Sequence, residues 1–88
     1  YEVKEISLKE FSELNQENLF NLLKTITNLE ILIIGTGKTN QFLPKEILVE
    51  LAKKSIPVET MNSSAACRTY NILISEGRNV AGIIFPAS

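Results

Sequence analysis

The sequence predicts an α/β layered domain with a mostly parallel sheet, and three observations carry that prediction. Two short, nearly unbroken apolar runs, Leu29–Ile34 (LEILII) and Val80–Phe85 (VAGIIF), read as buried strands, and the first reads as a central parallel strand covered on both faces. Segments with helical spacing of apolar residues lie before and between them. The resulting order, strand–helix–strand–helix–strand–helix–strand, is that of helices layered on a sheet.

Taken in order, Tyr1–Ile6 (YEVKEI) alternates as a short strand near a sheet edge, where Glu2, Lys4 and Glu5 meet water. Ser7-Leu8-Lys9-Glu10 is a capping box with Ile6 and Phe11 as its hydrophobic staple, so a short helix should run to Leu14. Asn15 is placed to cap a second helix, whose Leu19, Leu22, Leu23 and Ile26 form one core-facing stripe. Gly35-Thr36-Gly37 ends the central strand and opens a polar loop to Leu43. Pro44 suits the first residue of the next helix, where its missing amide costs nothing. There Ile47, Leu48, Leu51 and Ala52 should face inward, with Glu50 and Lys54 paired on the outside. Ser55 ends that helix, and Ile56–Thr60 makes another short strand.

Thr60–Arg78 (TMNSSAACRTYNILISEGR) concentrates the unusual residues: the only Cys, both Arg and one of two Tyr. Asn62 is a good N-cap and Gly77 suits the left-handed residue beyond a helix end. Between them Ala65, Ala66, Thr69, Tyr70, Ile72, Leu73 and Ile74 spread around most of the circumference. Ser64, Arg68, Asn71 and Ser75 fall on one narrow polar stripe. The pattern predicts a largely buried helix, with Arg68 and Asn71 on its one line of escape. The short connection from Gly77 to Val80 predicts that the last strand runs antiparallel to its neighbours.

With 88 residues, the chain holds one domain. Its hydrophobic fraction of 44% and charged fraction of 22% are those of a soluble globule. A net charge of −1 supplies no basic field for nucleic acid. No apolar run approaches the roughly 20 residues that span a bilayer, and nothing resembles a signal or transit peptide. The chain starts at Tyr1 rather than Met, which leaves room for an earlier segment. One Cys forms no internal disulfide and fits a reducing compartment.

The missing residue types decide more. There is no His and no Asp, so a Ser-His-Asp or Cys-His pair cannot be built from this chain. A single thiol also excludes zinc sites made of Cys and His. Any catalysis would have to use Cys, Lys, Tyr or Glu, or a partner's groups.

Two motifs carry chemistry elsewhere. Gly35-Thr36-Gly37-Lys38-Thr39 ends like a P-loop, but the first glycine of that motif would fall at Leu32, inside the strand. Gly35-x-Gly37-x-x-Asn40 lacks the third glycine of a dinucleotide fingerprint. A glycine turn leaving a buried strand explains the segment, although ligands of open α/β sheets do sit at such strand ends. Cys67 beside Arg68 is the second motif, since a neighbouring cation lowers a thiol's pKa; a core packing role for Cys67 is the expectation on an apolar helix. Arg68 is expected to pair with a Glu, to bond loop carbonyls near Gly35, or to hold an anion, and Arg78 to be a solvated charge at the helix end.

ILIIGTG (31–37), a Pro-started helix, Glu59-Thr60-Met61, AACRTYN (65–71), EGR (76–78) and a closing apolar strand with Pro86 resemble one family over essentially the whole chain. It is the domain-of-unknown-function family that includes the mitochondrial NADH:ubiquinone oxidoreductase complex assembly factor 3, adipogenesis-associated proteins, and many bacterial and archaeal members. The resemblance implies a three-layer α/β/α domain around a mixed, mostly parallel sheet with an antiparallel last strand. It implies no established activity and no cofactor or metal. It further implies protein partners, from respiratory-complex assembly or membrane-protein export, and a location in the bacterial cytoplasm or the mitochondrial matrix. Residues 1–88 would be a single domain lacking the N-terminal β segment usual in the family, its trimmed sheet edge inviting a partner or a second copy. The helix entrance reads Asn62-Ser63-Ser64 where relatives often have Asp-Thr followed by a variable residue.

The expected function is therefore a non-catalytic interaction or assembly module. The alternative is a small-molecule or anion site, or a Cys-dependent enzyme, built from Gly35, Thr36 and Gly37 with Cys67, Arg68 and Asn71.

Overall fold

The computed structural model describes residues 11–24, 26 and 28–86. The strand expected at Tyr1–Ile6 and the capping box at Ser7–Glu10 lie outside these residues. A 3-10 turn, Phe11–Glu13, precedes α1 (Gln16–Leu23). Then follow β1 (Ile31–Gly35), α2 (Lys45–Lys53), β2 (Val58–Met61), α3 (Ser63–Ser75) and β3 (Val80–Ile84).

Among the described residues the sheet has three strands in the order β2-β1-β3. Both pairings are parallel, Leu32 opposite Val58 on one side and Ile31 opposite Val80 on the other. The expectation of an antiparallel last strand is thereby corrected. The connection after Gly77 is short because the return trip has already been made: α3 is 13 residues long, about 20 Å at 1.5 Å per residue. It carries the chain back to the strand-starting end of the sheet, so β3 leaves in the same direction as β1.

Period-two alternation divides β1 between two cores. Leu32 and Ile34 join Leu19, Leu23, Ile47 and Leu51 on the side of α1 and α2, together with Ala81, Ile83 and Phe85. Ile33 points the other way, with Ala66 and Val80, and meets Tyr70, Leu73 and Ile74 of α3. Helices thus cover both faces of the sheet, as a central, wholly apolar strand requires.

Helix ends follow local chemistry. Asn15 and Asn18 form a reciprocal capping box, each side-chain oxygen accepting the other's amide at 2.9 and 3.0 Å. Asn62 Oδ1 accepts the Ala65 amide at 2.8 Å. At the other end of α3 the Gly77 amide donates to the Ile74 carbonyl and the Arg78 amide to that of Leu73, with Gly77 at φ +77°. This is the paired pattern of a Schellman ending. The same two bonds close α2, from Ser55 to Ala52 and from Ile56 to Leu51, but there the left-handed residue is Ser55 at φ +56°. Pro44 stands one place earlier than expected, as the N-cap, with its carbonyl accepting from Ile47 and Leu48.

Several exposures differ from the sequence reading. On α2 only Ile47 and Leu51 are buried, while Leu48 and Ala52 reach the surface. Lys53 rather than Lys54 pairs with Glu50, at 3.4 Å, because Lys54 lies 5.4 Å above the Phe20 ring. On α3 only Ser63 and Ala66 are fully buried, and Ile72 is 58% exposed. A single helix laid on a narrow sheet covers one side of itself, whatever its far side is made of.

Candidate functional site

The loop after β1 is bound tightly to the first turn of α3. Gly35 is buried against it: a Cβ on Gly35 would lie 2.9 Å from Ala66 Cβ and 2.9 Å from Ser63 Cα. The Gly37 amide donates to Ser63 Oγ at 2.9 Å, and the Ser63 amide donates to the Gly37 carbonyl at 2.8 Å. Ser63 Oγ in turn donates to the Phe85 carbonyl. One buried hydroxyl therefore joins the ends of β1 and β3 to the start of α3.

Thr36, only 1% exposed, organises the loop itself. Its amide donates to the Met61 carbonyl at 2.8 Å, and its hydroxyl donates to the Thr39 carbonyl at 2.8 Å. The same oxygen accepts the Gln41 amide at 3.0 Å, while the Gln41 side chain donates to the Thr36 carbonyl. The amides of Thr36 and Gly37 are thus engaged inside the fold rather than directed at a ligand. Neither Thr36 nor Ser63 stands out in the sequence as an organiser of the loop. The available signal was a hydroxyl at the first helical position, next to a residue already assigned as the cap.

Cys67, Arg68 and Asn71 lie on the opposite aspect of α3, and all three are exposed. Steps of 100° place them with Ser64, Ile72 and Ser75 on one arc, while Ser63, Ala66, Tyr70 and Leu73 face the sheet. The expected core packing of Cys67 is corrected: the close approach of Gly35 to Ser63 and Ala66 fixes the rotation of the helix and turns Cys67 outward. Arg68 Nη1 donates to Ser64 Oγ at 3.1 Å, one turn earlier. Among the described residues it forms no ion pair. The six candidate residues therefore fall into two groups: Gly35, Thr36 and Gly37 behind the helix N-terminus, and Cys67, Arg68 and Asn71 on its outer face.

Arg78 has a partner where a solvated charge was expected. Its Nε donates to Glu30 Oε2 at 3.1 Å, and the Asn79 amide reaches Glu30 Oε1. The Arg78 hydrogen bond, then the Asn79 amide, hold the Glu30 carboxyl below the usual carboxylate range. Glu30 N–H also donates to the Asn79 carbonyl, and Asn79 Nδ2 to the Asn28 carbonyl. This clamp ties the starts of β1 and β3 together, far along the sheet from the glycine loop.

Among the described residues no cluster of three or more His, Cys, Asp or Glu could hold a metal. No helix there is long and apolar enough to cross a membrane. A shallow, open depression lies between α1 and α2, lined by Gln16, Lys45, Glu46, Val49 and Glu50.

Comparison with known proteins places these features in a family context. The model of a family described as "Protein of unknown function (DUF498/DUF598)" matches residues 2–85. The chain is 48% identical over 58 residues to a "13 kDa major membrane protein" of Francisella tularensis, a match covering 66% of this chain and 47% of that protein. It is 41% identical over 69 residues to "NADH dehydrogenase [ubiquinone] 1 alpha subcomplex assembly factor 3" of Danio rerio, covering 78% and 38%. The chain thus spans less than half the length of these two relatives. A solution structure from Bordetella pertussis, described as an Mth938-like domain, superposes with a TM-score of 0.79 at 25% identity, over 94% of this chain and 66% of that one.

Proposed function

Because the chain belongs to the DUF498/DUF598 family, we propose that it is a non-catalytic interaction domain that serves the assembly of membrane-bound protein complexes. The observation that carries this reading is the division of the candidate residues. The loop that would have to bind a ligand is closed on itself through Ser63 and Thr36, and the polar residues of α3 present an outward face rather than a pocket. A helix clamped at its buried side and studded with Ser64, Arg68 and Asn71 on the other is a rigid surface for another protein. Two relatives, an assembly factor of the NADH dehydrogenase and a major membrane protein, supply the context of membrane complexes.

Affinity capture tests the reading. The chain should retain a respiratory-complex or membrane-export component, and Arg68→Glu should release it. Recovery of background proteins alone, from both the parent and the variant, overturns it.

The exposure of Cys67 favours a second reading, a Cys-dependent or anion-binding surface on the same helix. Its test is the pH dependence of Cys67 alkylation in the native protein. A midpoint well below the free-thiol value of about 8.5 supports a tuned nucleophile. An ordinary midpoint leaves Cys67 as part of the interaction face alone.

A further inference from the structure

Of the three described strands, β2 alone has no buried residue, whereas Val80, Ala81 and Ile83 of β3 are all buried. The order β2-β1-β3 leaves β2 at an edge of the described sheet. Its backbone groups divide by residue. The Leu32 amide donates to the Pro57 carbonyl at 2.9 Å, and the Thr36 amide to the Met61 carbonyl at 2.8 Å. With Leu32 opposite Val58 and Gly35 opposite Met61, the parallel ladder to β1 therefore uses Pro57, Glu59 and Met61. The N–H and C=O groups of Val58 and Thr60 point out of the sheet, and among the described residues no hydrogen bond reaches them. Such a row of donors and acceptors is complementary to one shape, another extended backbone. The side chains add a charge. Val58 packs towards the core beneath α1 and α2, and Met61 towards α3. Alternation puts Glu59 on the α3 side of the edge, exposed and without an ion pair among the described residues.

We infer that β2 receives an extended segment of a partner protein as a further strand, with a Lys or Arg of that segment opposite Glu59. The inference rests on the reading of the chain as an interaction domain, and it uses a surface other than the outer arc of α3. Main-chain bonds to Val58 and Thr60 supply the attachment, and the charge of Glu59 supplies the preference for a cationic segment. The same charge turns away a second copy. An antiparallel two-fold contact that used both open residues of each chain would set Val58 against Thr60 of the other copy, and Glu59 against Glu59. Those two glutamates would form a non-hydrogen-bonded pair, about 4.5 Å apart between Cα atoms. Like charges placed directly opposite one another destabilise the pairing.

Amide NMR titration of the full chain with the end-blocked peptide Thr-Val-Lys-Val-Thr tests the assignment, with Thr-Val-Glu-Val-Thr for comparison. The lysine peptide should shift the Val58 and Thr60 amides and slow their exchange with solvent. The glutamate peptide should bind about fivefold more weakly, and Glu59→Lys should reverse that order. Thr60→Pro removes an outward amide and no bond to β1, so it should weaken both peptides about tenfold or more while the spectrum stays that of the folded domain. If Thr60→Pro unfolds the chain, the reversal by Glu59→Lys decides alone. No response of Val58 and Thr60 to millimolar lysine peptide, shifts that map to another surface, or a preference unmoved by Glu59→Lys overturns the inference. So does a dimer in which these two amides are protected without peptide, which would give the edge to a second copy. Arg68→Glu separates the two readings: it should release the partner held by α3 and leave peptide binding unchanged, so that either reading can fail alone.

Discussion

Ser63 Oγ lies 2.5 Å from the carbonyl oxygen of Phe85 while accepting the amide of Gly37, so a single buried hydroxyl holds three chain segments in place. Hydroxyls used in this way are costly to remove because both partners are left without a bond in a place water does not reach. Ser63→Ala should destabilise the domain by about 1–3 kcal/mol. Urea unfolding of the two proteins checks this, and an unchanged midpoint would mean that water replaces the hydroxyl.

Gly35 gives a second, independent test of the same junction. An added methyl group would meet Ala66 Cβ and the Ser63 backbone at 2.9 Å. Backbone cannot step aside as the tip of a side chain can, so Gly35→Ala should cost about 1–3 kcal/mol by overpacking. Adding Ala66→Gly removes only one of the two clashes, and calorimetry of the double variant should show partial recovery at most.

At Ser55 the expected change is a gain. This residue closes α2 in the left-handed conformation at φ +56°, the place taken by Gly77 at the end of α3. Glycine adopts that conformation without the Cβ clash. Ser55→Gly should stabilise the domain by about 0.5–1 kcal/mol after the loss of chain entropy is counted. Thermal unfolding reads the sign directly.

The Glu30–Arg78 clamp makes a pH-dependent prediction. The folded-state pKa of Glu30 is lowered, chiefly by the Arg78 hydrogen bond. Its contribution to stability is therefore present above the unfolded pKa and is lost as pH falls through the folded one. Arg78→Gln should move the Glu30 titration back toward the ordinary carboxylate range and flatten the acid limb of the stability profile. Carboxyl NMR shifts of Glu30 follow the first effect, and raised salt should diminish it because the pair is exposed.

The elements themselves were legible because they are written in local chemistry: Asn15 and Asn62 as caps, Gly77 as the helix terminator, and an apolar run too short for anything but a covered strand. What depended on distant residues was not. The direction of β3 follows from the length of α3 rather than from the four residues that join them. The outward turn of Cys67 follows from Gly35 pressing on Ser63 and Ala66, and no spacing within the helix reports that contact. The six candidate site residues are marked in the sequence only by type and by strand-end location; their separation into a closed loop and an exposed face arises from the Ser63 hydroxyl, which the sequence shows only as a residue of the helix entrance beside the Asn62 cap.

The strand order β2-β1-β3 also bears on how the chain assembles. Ile31 is in register with Val80, although two helices and a strand lie between them in sequence. During synthesis α1, β1, α2 and β2 can gather beside the ribosome, but β1 then has a partner on one side only. The apolar edge of Ile31–Gly35 stays open until β3 arrives, and long-range pairing of this kind is slow compared with helix formation. The nascent domain therefore passes through an interval in which its central strand invites the wrong neighbour, and a chain halted before Val80 should be a substrate for chaperones rather than a smaller version of the fold.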